Sequence, residues 1–223
     1  MAATSLKRQA TKMKTNGSSK TKTRTEEVYR KAAKLFRESG YVRTTMNDIA
    51  QALEIQKGSL YYYVKDKQSL LFVILDRITD TLLDTVKDFP LDNLSSQEKL
   101  TRLMHQHVLN VLEYRNEVPL LIYEAKHLPP KLLGVVLEKR RQYEDIFLKV
   151  IREGIADGTF LGHNQHVVAF FILGGVFWFF QWFSSEEMET QRVTEQSFLG
   201  LFLNGLLAQR TTDLQRGASH FGT

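Results

Sequence analysis

The spacing of apolar residues predicts helices from one end of the chain to the other. Between Glu26 and Ser39, Val28, Ala32, Leu35 and Phe36 share one helical face, and Gly40 stops the helix. Thr45 with Asp48 three residues later forms a capping-box-like start, Asp standing in for Glu. Ile49, Ala50 and Leu53 then give the apolar face of a second, short helix. A tight turn leads into a third, which opens at Lys57-Gly58-Ser59 and carries Tyr61, Tyr62 and Tyr63. Asp66 caps a longer helix from Lys67 to about Lys87, striped by Leu71, Ile74, Leu75, Ile78 and Leu82, and Phe89-Pro90 breaks it. Ser95 or Ser96 starts a helix running to about Tyr114, a shorter helix follows Pro119, and Pro129-Pro130 mark a sharp stop. A long amphipathic helix spans Lys131 to Ala156 and ends at Asp157-Gly158. Gln165–Phe183 and about Thr190–Ala208 form two last, very apolar helices. There is neither strand alternation nor an internal repeat, so the expected architecture is all-α.

The stretch from Val167 to Phe183 carries no charge, and at 17 residues it sits at the lower limit for spanning a bilayer. Gln181 interrupts it, and a helix apolar all round is more simply buried on both sides, one against its own core and one against a second subunit. The last helix offers a matching surface in Phe198, Leu199, Leu201, Phe202 and Leu206. Gly174, Gly175, Gly200 and Gly205 would allow close helix approach there.

Composition narrows the chemistry. The chain has 223 residues, room for a small domain and a larger one, and it has no cysteine, which excludes disulfides, Cys nucleophiles and Cys-ligated metals. No apolar N-terminal run marks a secretory signal, so a cytoplasmic location is expected, with no membrane partner. The net charge of +5 suits a polyanionic partner. Residues 1–24 hold Lys7, Arg8, Lys12, Lys14, Lys20, Lys22 and Arg24 without one acid, which predicts a disordered basic arm. That arm either tracks phosphates or the minor groove beside the head, or is a solubilising extension upstream of a start at Met13. The remaining boundaries are expected at 25–66 for the head, 67–210 for a helical C-terminal domain and 211–223 for a flexible tail.

Two short helices joined by a tight turn, the second starting with small and basic side chains, have the anatomy of a helix-turn-helix whose second helix enters a DNA major groove. Its free N–H groups and partial positive charge favour phosphate. The segment resembles the DNA-binding domain of TetR-family transcriptional repressors, whose pattern I-A-x-x-A-G-V-S-x-G-x-L-Y-x-x-F-x-x-K-x-x-L appears here as Ile49, Ala50, Gly58, Leu60, Tyr61, Lys67 and Leu70. Glu54 stands where that pattern has a turn glycine, Gln56 where it has Ser, and Val64 where it has Phe. A left-handed Glu54 costs what Gly would avoid. Gln56 caps less well than Ser but offers an amide able to read adenine. The expected DNA contacts are Thr45, Gln56, Lys57, Gly58, Ser59, Tyr61, Tyr62 and Lys67, mostly to phosphate, with Gln56, Lys57 and Ser59 nearest base edges.

In the C-terminal region, YEAKHLPP (Tyr123–Pro130), REGIADGTF (Arg152–Phe160) and the aromatic run around Trp178 and Trp182 resemble a subgroup of acyl-CoA-responsive repressors of lipid or steroid catabolism. An acyl chain needs an apolar tunnel, for which Leu103, Leu120, Ile122, Phe147, Phe170, Phe171, Phe177 and Trp178 are candidates. CoA phosphates need cations, and Lys139, Arg140, Arg141, Lys149 and Arg152 are available. The same residues read equally well as plain core and as a solvated face.

Catalysis finds no support, and no cofactor is expected. His105 and His107 are two apart on a helix and point apart; His163 and His166 lack a carboxylate between them. Two functions stay open. One is a homodimeric repressor on a palindromic operator, released by a hydrophobic effector such as an acyl-CoA. The other is a helix-turn-helix protein with a different effector, or with none and a C-terminal domain for protein–protein interaction.

Overall fold

A computed structural model describes residues 19–182 and 188–207. Along these the helices are α1 Ser19–Ser39, α2 Met46–Ala52, α3 Lys57–Leu60, α4 Lys67–Asp84, α5 Ser96–Glu113 and α6 Val118–Tyr123. A 3-10 turn at Ala125–His127 follows, then α7 Pro130–Ala156, α8 Gln165–Trp182 and α9 Met188–Leu206. The only other pairing among the described residues is an isolated bridge between Phe160 and Leu207. The all-α expectation is met, and apart from the start of α1 the predicted helices recur within a few residues of their expected ends.

Helix α1 starts earlier than expected. It reaches back to Ser19, into the stretch assigned to the disordered arm. Arg24 gives the physical reason, because it pairs with Glu27 at 2.5 Å and donates to the carbonyl of Leu53 at 2.8 Å. The rest of the arm, Met1 to Ser18, lies outside the described residues, as do Phe183 and the 211–223 tail.

The described residues form two compact units. One comprises the chain up to Phe89 together with Val108–Ile146, the other Pro90–His107 with the chain from Phe147 onward. The first unit therefore joins the head to α4, α6 and half of α7. Its core contains Phe36, Ile49, Leu60, Leu70, Leu71, Leu75 and Leu120, all at most 2% exposed. Asn110 and Tyr143 are buried there as well, hydrogen-bonded to each other at 3.4 Å, with Asn110 also donating to Thr85 Oγ1 at 2.9 Å.

In the second unit, Leu100, Leu103, Met104, Phe147 and Ile151 make the core. The REGIADGTF segment closes it. A Cβ on Gly154 would come within 2.2 Å of the Phe160 ring, so glycine is required for that ring to lie against α7. Gly158 turns the chain at φ +77°, and Ser96 donates to Asp157 at 2.5 Å. The hydrogen bonds from Ser96 and Thr159 hold the Asp157 carboxyl below its usual range. A motif singled out for effector chemistry thus has a structural job, locking the end of α7 to the start of α5.

Candidate functional site

The head is built from local rules. Thr45 and Asp48 form the predicted capping box: Asp48 N–H donates to Thr45 Oγ1 at 3.2 Å and Thr45 N–H to Asp48 Oδ2 at 2.8 Å. These bonds also lower the Asp48 pKa. Glu54 does adopt the left-handed conformation, at φ 55°, and its backbone reverses the chain out of α2. Gln56 sits at the N-cap of α3 in extended backbone, and its side chain makes no capping hydrogen bond. Backbone bonds from Tyr62 to Ser59 and from Tyr63 and Val64 to Leu60 continue the coil past Leu60. Buried Leu60 and Val64 fix the inner face of this turn against the head core.

What remains outside is the predicted set. Thr45, Gln56, Lys57, Gly58, Ser59, Tyr61 and Tyr62 are all exposed, Tyr62 at 74%. A Cβ on Gly58 would meet nothing within 4 Å among the described residues, so no neighbour in this chain demands a glycine there. The start of α3 is a small, basic, uncapped edge with two phenols beside it, and such an edge can take phosphate oxygens and base edges.

Lys67 has another task. Its ammonium donates to the carbonyls of Tyr41 (2.9 Å), Val42 (3.2 Å) and Thr44 (2.8 Å), and it lies 4.5 Å from the centre of the Tyr41 ring. Three donors meet three acceptors, so the phosphate contact expected of Lys67 gives way to a structural cap on the loop before α2.

The effector candidates separate into two groups. Leu103 and Phe147 are 0% exposed, Leu120 2% and Phe177 6%, which makes them core; Phe170, Phe171, Trp178 and Ile122 are exposed. In the second unit a cavity of about 340 Å³ is lined by Met104, His163, Asn164, Val167, Val168, Phe171, Ile172, Leu201, Phe202, Leu203, Gly205 and Leu206. Of the eight effector residues proposed from sequence, only Phe171 borders it. Apart from Met104 on α5, those the sequence missed sit at or just before the start of α8 and in the last turns of α9, where the uncharged run of α8 and the apolar end of α9 gave no sign of which face would be left open.

The cations divide similarly. Lys139 is held by Asp76 at 2.5 Å and Asp80 at 2.7 Å, clamping α7 to α4, and so is not a phosphate ligand. Arg152 Nε donates to Leu148 O in its own helix. Arg141 pairs with Glu138 on the surface, and Arg140 makes one long 3.5 Å contact to Leu121 O. Of the glycines expected to allow close approach, Gly175 does so within the chain: a Cβ there would lie 2.8 Å from the Phe202 ring. Gly174, Gly200 and Gly205 face open space among the described residues.

His107 is buried, with Nε2 3.1 Å from Leu173 O, and burial lowers its pKa to about 4. His105 pairs with Glu195. No group of three or more His, Asp or Glu able to hold a metal occurs among the described residues, and no helix of theirs is long and apolar enough to cross a membrane.

Residues 28–74 match the family described as bacterial regulatory proteins, tetR family, and residues 93–206 match the tetracyclin repressor-like C-terminal domain. The second match alone covers just over half of the chain. The chain belongs to the TetR family. It is a DNA-binding transcriptional repressor of the TetR type, not an enzyme.

The transcriptional repressor KstR2 of Rhodococcus jostii is 28% identical over 177 residues, 78% of this chain and 87% of that protein. The ketosteroid regulator KstR2 of Mycobacterium tuberculosis superposes with a TM-score of 0.76 at 24% identity, over 83% of this chain and 96% of that one. AibR, solved with isovaleryl coenzyme A and operator DNA, superposes with a TM-score of 0.72 at 25% identity, over 82% of this chain and 98% of that one.

Proposed function

We propose that this repressor binds a palindromic operator as a homodimer and is released from it by an acyl-CoA thioester. The observation that carries the effector assignment is the cavity of about 340 Å³ at the ends of α8 and α9, walled by Val168, Phe171, Ile172 and Leu206 and edged by His163 and Asn164. Its size is at the low end of small-molecule sites, enough for an acyl group while the CoA portion stays outside. The relative solved with isovaleryl coenzyme A supports the same class of ligand.

The dimer is proposed to form through α8 and α9. Val167, Phe170, Phe171, Trp178, Val193 and Leu201 are more than half exposed in the single chain, an apolar surface that a soluble protein covers with a partner. Two heads on one base suit half-sites about one helical turn apart. Effector binding must favour one head spacing over another to change affinity at all. A thousandfold loss of affinity needs about 4 kcal/mol of coupling, plausible for two bound ligands.

The test uses a duplex selected by the wild-type protein from a random pool, titrated with acyl-CoAs of graded chain length. Release by at least one of them, and none by free CoA, is the expected result. Protein that stays bound at saturating concentrations of every thioester refutes the effector assignment and leaves DNA binding standing.

A further inference from the structure

The ring of Tyr41 lies at the junction between the head and the segment after α6. It meets the buried Phe36 ring edge-on at 5.2 Å and stacks on the imidazole of His127 at 5.1 Å, with 26° between the planes. The Tyr41 N–H points to Glu124 Oε1 at 3.4 Å, while the other Glu124 oxygen lies 3.3 Å from His127 Nε2. Gln68, in the first turn of α4, donates to the His127 carbonyl at 3.3 Å. Lys67, next to it, holds the Tyr41 carbonyl as described above. All of these residues belong to the first compact unit.

The chain leaves the head once, through the residues before α4. Beyond that link, α1 packs on α4 and α6, with Phe36 of the head and Leu70, Leu71 and Leu75 of α4 buried in the core of this unit. Glu124 and His127 add an attachment at the other side of α1, gripping the loop that Gly40 begins at φ +81° and that leads into α2. The Arg77–Glu26 ion pair also joins α4 to α1, but both side chains are at least 40% exposed and water screens the attraction. The YEAKHLPP segment, first read for effector chemistry, contains both gripping residues.

We propose that Glu124 and His127 are positioning residues for operator binding: through Tyr41 they set the angle at which α3 is offered to the DNA. The inference rests on the two-headed dimer of the preceding subsection, because head angle matters only when two recognition helices must fit one duplex.

The experiment compares wild type, His127→Ala and His127→Phe on two DNAs, without effector. One is the duplex that the wild-type protein selects from a random pool; the other is the same duplex with one half scrambled. His127→Ala is expected to bind the intact duplex about tenfold more weakly, since a mis-set second head contributes less, and to bind the half-scrambled duplex as wild type does. His127→Phe keeps an aromatic ring on Tyr41 and should restore intact-duplex affinity to within about threefold. Equal losses on both DNAs would mean that the contact merely stabilises the fold, and no loss on either would mean that it sets nothing; both overturn the proposal. A wild-type protein that does not distinguish the two DNAs would overturn the two-headed reading, and this one with it.

Discussion

Lys67 is the residue at which the sequence and the structure assign different work, and one substitution separates them. From the sequence it is expected among the DNA contacts, as a partner of phosphate. In the structure its ammonium closes the loop between α1 and α2 through three carbonyls at 2.8–3.2 Å. Tyr41 is 8% exposed and Thr44 2%, so the carbonyls of those two residues are poorly placed to find water if the ammonium is removed. At about 1.5 kcal/mol for each hydrogen bond from a charged donor, those two contribute about 3 kcal/mol. Exposed Val42 regains water and adds little, and the contact with the Tyr41 ring adds about 0.5–1 kcal/mol. Lys67→Ala should therefore destabilise the protein by about 3.5–4 kcal/mol, a fall in Tm of roughly 7–16 °C for a chain of this length.

The assay has two parts. Thermal unfolding followed by far-UV circular dichroism reads the stability. Operator affinity against salt, well below the transition, reads the phosphate contacts. Lys67→Ala should keep the wild-type slope of log affinity against log salt, whereas Lys57→Ala, at the exposed start of α3, should lower it by about one unit at unchanged stability. A Lys67→Ala protein as stable as wild type, with a slope one unit lower, would refute the structural role and return Lys67 to the phosphate backbone.

The seam between subunits is best tested at Leu201, which is 76% exposed and so can carry Glu without damage to its own chain; Leu201→Glu should sediment as a monomer at low micromolar concentration, and a persistent dimer would place the interface elsewhere. Phe202→Glu is a poorer probe because the Phe202 ring packs against Gly175 and Phe171 within the chain. Arg140→Ala combined with Arg141→Ala tests the phosphate contact expected of them from the sequence: operator affinity should stay within about twofold, since both are exposed, and an acyl-CoA response equal to that of wild type would remove them as candidates. Burial depresses the pKa of His107 from 6.5 to about 4, so the neutral ring stabilises the fold fully above pH 6.5 and that contribution falls as pH drops toward 4, by about 3 kcal/mol in all. His107→Gln should flatten denaturant stability against pH between 6.5 and 4, and a slope identical to that of wild type would show that other groups govern it.

The head was legible because its determinants are local. Thr45 and Asp48, Glu54, Gln56 and the Lys57-Gly58-Ser59 start act within a few residues of one another, and the structure finds the capping box and the left-handed Glu54 where spacing placed them. Helix positions along the rest of the chain were legible for the same reason, through apolar periodicity and the proline and glycine stops. Periodicity failed on α8 and α9. In a helix apolar nearly all round, no pattern marks which face is core, which is cavity and which is left for a partner. Phe177 proved to be core and Trp178, one residue on, surface.

Cations show why long-range work hides from a sequence. Lys67 reaches carbonyls 23 to 26 residues away, and Lys139 meets Asp76 across 63 residues. A lysine that caps a loop, one that clamps two helices and one that waits for a phosphate look alike in a sequence, since each needs only a flexible stem and a charge. Only the acceptors around the ammonium tell them apart. Glycine carries the converse information. Gly154 and Gly175 each have an aromatic ring of their own chain where a Cβ would sit, while Gly58 has nothing. A glycine that its own fold does not require, at the exposed start of a recognition helix, is best explained by something outside the chain that must come close. Gly58→Ala therefore tests the DNA interface without disturbing the head. It should leave stability unchanged or slightly raised, because Ala favours helix, and weaken operator binding by steric conflict. If affinity holds, the backbone of α3 does not approach the duplex at Gly58, and the contacts must be made by the longer side chains of Lys57, Tyr61 and Tyr62 alone.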